Sequence, residues 1–291
     1  MNETVGLADF LRLFWPSILG SLVAAALCGY LGFFVVVRRV AFMSAALGQI
    51  SGLGVVSGFL VGSLLGHSPH DPLPFYQDPV LISLGLTALA AAAMGTISRI
   101  ARTTPESLVA FAYLAGTALT LLVLASPRII QEQHEIGDLL FGNVVAVRLQ
   151  HLEALVAVAL VVGVSHWLLF KDLMLVSFDG EMARTLGLPA KMLDLWLYVS
   201  IGVSVAIATR AVGALPVFAF IVLPAGAALL MVESVWGVIL LSVVGALFAA
   251  AAGFYLSFVF NLSTGPMMTV GCAAYWPVAA LYRSAKRRRA A

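Results

Sequence analysis

Charge is scarce in this sequence. Aspartate, glutamate, lysine and arginine make up 10% of its 291 residues, against roughly a quarter in an average soluble domain. Cysteine is scarcer: Cys28 and Cys272 both lie in apolar runs, with no metal-type spacing and no disulfide framework. A net charge of +2 is too small for a surface that grips nucleic acid. Catalytic motifs are missing too. There is no G-x-S-x-G elbow and no G-x-x-x-x-G-K-[ST] phosphate loop, so the chain is expected neither to act as an enzyme nor to bind ATP or another cofactor itself. Glu135 follows His134, but no second histidine stands three residues on, which excludes the H-E-x-x-H of a zinc protease. The first stretch holds Glu3 and Asp9 and has no basic segment before its apolar run. That run is therefore expected to be retained rather than cleaved.

What fills the chain instead is hydrocarbon. Hydrophobic residues are 62% of the total, more than one soluble core needs and what a set of lipid-facing helices requires. Apolar runs are read at about 13–37, 46–65, 79–97, a fourth ending at Ala125, 151–170, 195–209, a seventh ending at Met231, 236–260 and 267–282. The Thr209–Pro216 stretch reads either as a true turn or as a re-entrant bend. The expected fold is all-α, a polytopic membrane bundle of eight to nine helices. One transmembrane domain is expected over residues 1–282, with a basic tail at 283–291.

The basic residues orient this bundle. Arg38, Arg39, Arg99, Arg102, Lys171, Arg184, Lys191, Arg283, Lys286, Arg287, Arg288 and Arg289 fall on one set of alternate loops; Arg12, Arg128, Arg148 and Arg210 fall on the other. The positive-inside rule then puts the C-terminus in the cytoplasm and the N-terminus outside. The tail reads as a topological anchor that also attracts anionic lipid.

One polar interruption stands out, from Ser177 to Lys191. Asp179 is placed to cap a short helix, Glu181 lies in its first turn, Arg184 lies near its end, and Gly187 with Pro189 stops it. A helix this short is not stable alone in water, so it must lie against something, and a soluble partner is expected. Other candidates carry two readings each. Pro224 is a packing kink or a gating hinge. Gln49 bonds across helices or lines a pathway. His67, His70 and Asp71 form a divalent-ion site or an ordinary solvated loop, and Glu132, His134, Glu135 and Asp138 read the same way. His151 and His166 read as packing or interface residues.

Several stretches resemble the ABC-3 family, the integral membrane permeases of bacterial ABC importers for zinc, manganese and iron. Val37-Arg38-Arg39-Val40-Ala41-Phe42 resembles the family's arginine pair after the first span. Leu139-Leu140-Phe141-Gly142-Asn143 resembles its D-L-L-F-G-D, with Asn143 in the acidic position. Phe178 to Leu188 resembles F-D-P-E-x-A-R-A-L-G-L. Ala211 to Pro216 with Leu223 to Gly226 resembles A-V-G-x-L-L-V…I-P-A-A, and Ser263-Thr264-Gly265-Pro266 extends the similarity. The resemblance implies a homodimer in the bacterial inner membrane, a pair of cytoplasmic ATPase subunits that bind the ATP, and an extracytoplasmic metal-binding protein. It further implies that Phe178, Asp179, Glu181, Ala183, Arg184, Leu186 and Gly187 form the coupling helix seated on the ATPase. Ala45, Gln49 and Pro224 would lie along the translocation path. One departure is marked. The family carries aspartate and histidine four residues apart where this chain has Ala45 and Gln49, and a methyl and a neutral amide do not hold zinc as those groups would. A siderophore, haem or vitamin importer is the alternative inside the class. A gradient-driven secondary transporter is the alternative outside it, although that reading expects membrane-embedded acids that the long runs lack at their centres.

Overall fold

The computed structural model describes residues 7–64, 79–100, 104–126 and 149–290. Eleven helices follow in order: α1 Leu7–Val37, α2 Ala41–Leu64, α3 Pro79–Ile100, α4 Pro105–Leu124, α5 Leu149–Leu168, α6 Phe170–Phe178, α7 Gly180–Thr185, α8 Ala190–Val212, α9 Ala214–Met231, α10 Val235–Phe260 and α11 Thr264–Ala290. No strand occurs among the described residues. In a hydrocarbon environment every backbone N–H and C=O must be satisfied within the protein, and long helices do that within one segment.

Eight of these helices are long and apolar enough to cross a membrane: α1 to α5, α8, α9 and α10. The ninth apolar run is helical as α11, and it packs on α9 and α10. It falls outside the eight because Tyr275, Trp276 and Pro277 interrupt its hydrocarbon. Three helices start well before hydropathy suggests, α1 among them, at Leu7 rather than about residue 13. α2 begins at Ala41, directly after the turn that ends α1, and α8 begins at Ala190. Around 209–216 the chain makes a break of one residue: Gly213, at φ 89°, ends α8 and starts α9.

Burial separates centre from rim. The spanning windows of α1 and α8 are 67% and 61% buried, against 17% for α4, so α1 and α8 are central. Close approach there depends on missing side chains. Gly32 of α1 sits against the Ile221 carbonyl and Ala225 of α9, where any Cβ would collide with backbone. Serine hydroxyls add bonds between helices. Ser242 of α10 donates to the Gly29 carbonyl of α1 at 2.7 Å, and Ser83 of α3 donates to the Ser51 carbonyl of α2 at 3.0 Å.

The caps show how local chemistry starts and stops the helices. Thr104 is the N-cap of α4 with Pro105 at its first turn, but its hydroxyl pairs with Ser107 Oγ at 2.8 Å and makes no cap bond to the backbone. At the end of α1, Arg39 occupies the left-handed region at φ 60°. Its N–H donates to the Val36 carbonyl and that of Val40 donates to Val35, the bond pattern of a Schellman stop with arginine where glycine is usual.

Candidate functional site

Asp179 closes one helix and opens the next. Its N–H donates to the Leu175 carbonyl at the end of α6, while its Oδ1 accepts from the N–H groups of Glu181 at 3.0 Å and Met182 at 2.9 Å. Two of the orphan donors of α7 are thereby satisfied. The other end is closed as tightly. Gly187, at φ 79°, donates to the Arg184 carbonyl and Leu188 donates to Ala183, both at 3.0 Å. That is a Schellman stop, and the left-handed residue it needs is a glycine here. Glu181 near the start and Arg184 near the end both complement the helix dipole. Six residues are thus held helical by their two caps and by Ala183, which is fully buried.

The opposite side of this segment is unusual. Phe178, Met182 and Leu186, spaced by four, are 62%, 51% and 62% exposed. They stand among exposed charged and polar groups, Glu181, Arg184 and Thr185. Alongside runs an open groove of ≈ 330 Å³, lined by residues that include Arg184, Leu188, Pro189, Lys191 and Met192. Apolar anchors set among charges and beside a groove make a surface suited to a protein partner.

Behind this surface lies Arg38. Its Nε donates to Ser177 Oγ at 3.0 Å, and its Nη1 lies 2.7 Å from Oδ1 of Asp194 on α8. The two charged side chains are 11% and 14% exposed. Ser177 in turn donates to the Leu173 carbonyl within α6 at 2.6 Å.

The path candidates are quieter. Ala45 and Gln49 lie one turn apart on α2, both half-buried. Gln49 packs against Gly116 of α4, and Gly48 faces Ala214 of α9. Pro224 lies within an unbroken α9, buried between Ile221 and Ala225, the two residues that Gly32 of α1 touches. His166 is fully buried on α5, with Nε2 2.9 Å from Ser200 Oγ of α8 and its ring edge-on to Tyr30 and Phe34. Packing accounts for it. No group of three or more histidine, cysteine, aspartate or glutamate side chains is arranged to hold a metal ion among the described residues. His67, His70, Asp71, Glu132, His134, Glu135, Asp138 and the Leu139–Asn143 stretch lie outside the described residues.

Residues 11–283 match the ABC 3 transport family. The chain belongs to that family. It is 24% identical over 259 residues to the manganese transport system membrane protein MntC of Halalkalibacterium halodurans, a match covering 89% of this chain and 83% of that one. It is also 24% identical to the chelated iron transport system membrane protein YfeD of Yersinia pestis, across 93% of this chain and 85% of the relative. Its fold is that of a chain in PsaBC from Streptococcus pneumoniae in complex with Fab, with a TM-score of 0.78, 21% identity, and coverage of 94% and 93%.

As an ABC 3 transport protein with eight apolar helices of spanning length, the chain is a multi-pass protein of the bacterial plasma membrane and a transporter subunit. The sequence marks α7 by its polarity and its stop signals. Nothing in it distinguishes Arg38 from Arg39 as a residue with structural partners. The structure separates them: Arg39 is exposed, whereas Arg38 is enclosed and bonded.

Proposed function

We propose that this chain is the membrane permease of an ATP-binding cassette importer for divalent metal ions, zinc or manganese, and that α7 is its coupling helix. The observation that carries the reading is α7 with its flanks: a six-residue helix fixed by caps at both ends, with Met182 exposed on it and Phe178 and Leu186 exposed on either side, in a chain of this family. A short helix built to be rigid and left apolar on its free side has a partner to meet. The partner is a pair of cytoplasmic ATPase subunits, which bind the ATP that this chain has no motif to hold. The positive-inside arrangement supports placing α7 and the C-terminus in the cytoplasm and the N-terminus outside. The working unit is a homodimer of this chain fed by an extracytoplasmic metal-binding protein.

ATP binding acts on the permease by population shift. The closed ATPase pair binds one arrangement of the two coupling helices better than the other, and the free energy available for switching access is that difference in affinity. Moving an equilibrium from 1:99 to 99:1 takes about 5.5 kcal/mol of such preference. That is attainable for a docking surface with three apolar anchors at each of two sites.

A second reading concerns cargo alone: the metal crosses as a chelate. Ala45 and Gln49, where the family carries carboxylate and imidazole, favour it, and the name of the Yersinia relative supports it. The deciding experiment reconstitutes the permease in lipid vesicles with its ATPase and binding-protein partners. ATP-dependent uptake of Mn²⁺ or Zn²⁺, measured by elemental analysis, is the expected outcome. Uptake of a ferric chelate with neither bare ion moving would establish the second reading, and ATP-independent uptake would overturn both.

A further inference from the structure

Of the two arginines that end α1, only Arg39 behaves as a topological anchor does, exposed at the bundle's edge. Arg38 is turned inward, and its guanidinium reaches both flanks of α7 at once. Ser177, which accepts from Nε, is three residues before α7 begins; Asp194, whose Oδ1 lies 2.7 Å from Nη1 as an ion pair, is on α8, the helix that leaves α7. The hairpin between α1 and α2, the approach to α7 and the departure from it therefore meet at one side chain. Buried ion pairs add little net stability, because desolvation offsets most of the attraction. The guanidinium also interacts with Tyr198 of α8, while its Nη2 is buried with no hydrogen-bond partner among the described residues. Stability alone accounts poorly for such a group, whereas a mechanical link accounts for it well.

We propose that Arg38 is the joint that transmits motion from α7 to the α1–α2 hairpin, and so to the turn carrying Ala45 and Gln49. It is a positioning residue: it touches neither cargo nor nucleotide, and it acts by holding both flanks of α7 to the central helix α1. Rigid helices carry movement only where their junctions do not slip. The planar fork of arginine holds a hydroxyl and a carboxylate in fixed directions at once, which a lysine ammonium on a flexible stem does not reproduce.

This inference rests on α7 being the ATPase-docking helix, and the test separates the two. The assembled transporter, with its ATPase and binding protein, is reconstituted in vesicles, and Mn²⁺ or Zn²⁺ uptake is divided by ATP hydrolysed. Arg38→Ala is expected to keep the ATPase bound and hydrolysing while uptake per ATP falls about tenfold, with Arg38→Lys recovering part of it. Ser177→Ala removes one leg and leaves the ion pair, so it is the milder variant should the first not assemble. Its ratio is expected to fall about twofold. An unchanged ratio in Ser177→Ala or Arg38→Ala overturns the joint. So does a parallel loss of hydrolysis, uptake and melting temperature in both, since that is what a merely structural residue gives. An ATPase that stays bound when Phe178 and Leu186 are both changed to aspartate overturns the docking role of α7, and the joint falls with it.

Discussion

The segment from α6 to the start of α8 and the α2 turn holding Ala45 and Gln49 follow opposite plans. In the first, polar groups are used directionally: Asp179 accepts two backbone N–H groups, Gly187 closes a Schellman stop, and Arg38 binds partners on two elements. In the second there is a methyl and a neutral amide, half-buried, with Gly116 as a packing neighbour of the amide. A drive element must be stiff and specific in shape, and caps with buried charge contacts supply that. A passage must let its cargo go, and weakly interacting walls are compatible with release. If α7 is the coupling helix as proposed, the drive rests on residues with defined bonds, whereas the α2 turn offers a cation no charged ligand at Ala45 or Gln49.

The largest effect should come from destroying the driven end of this contrast. Changing Phe178 and Leu186 together to aspartate replaces two exposed apolar anchors with charge. Truncating an interface anchor commonly costs 2 kcal/mol or more, so ATPase affinity should fall at least about a hundredfold. Co-purification and surface-plasmon binding would read this directly, and the isolated permease should keep its melting temperature because both side chains point outward. Binding within about twofold of the parent would remove the contrast altogether.

Next comes an attempt to erase the contrast from the other end. Ala45→Asp with Gln49→His puts a carboxylate and an imidazole one helical turn apart, a spacing that lets both face one cation. If bare metal crosses at this turn, Zn²⁺ or Mn²⁺ uptake should rise by up to about tenfold, until tighter binding begins to slow release. The readout is initial uptake rate against metal concentration in vesicles. A properly assembled double variant with an unchanged curve would place the cargo route elsewhere.

How far these two regions were readable from sequence follows from the range of their contacts. A bundle of eight to nine spans is legible because a hydrocarbon solvent allows little but long apolar helices, and eight helices meet that requirement among the described residues. Helix α7 is legible because a cap aspartate, a stop glycine and a proline act within a few residues of themselves. The start of α2 is less so: hydropathy begins its run at Ala46, yet the helix begins at Ala41, because its start is set by the left-handed stop at Arg39 and not by apolarity. Arg38 is illegible. Its hydroxyl acceptor is Ser177, 139 residues away along the chain, and no local pattern announces a bond of that range. Gln49 is half legible, since a polar residue inside an apolar run is visible but its neighbour on α4 is not.

The smallest effect sharpens the contrast within capping itself. Asp179 and Thr104 are both N-cap residues, but Asp179 bonds two backbone N–H groups whereas the hydroxyl of Thr104 pairs with Ser107 Oγ. Asp179→Ala should therefore cost α7 about 1 kcal/mol, and Thr104→Ala should cost α4 only a few tenths. A loss of about 1 kcal/mol is roughly a fivefold rise in local opening, so the amides of Glu181 and Met182 should exchange hydrogen about fivefold faster in the first variant. The α4 amides should barely change in the second. Exchange mass spectrometry on the detergent-solubilised permease resolves that difference. Equal effects at the two sites would mean that α7 is held mainly by Ala183 packing against the bundle rather than by its cap.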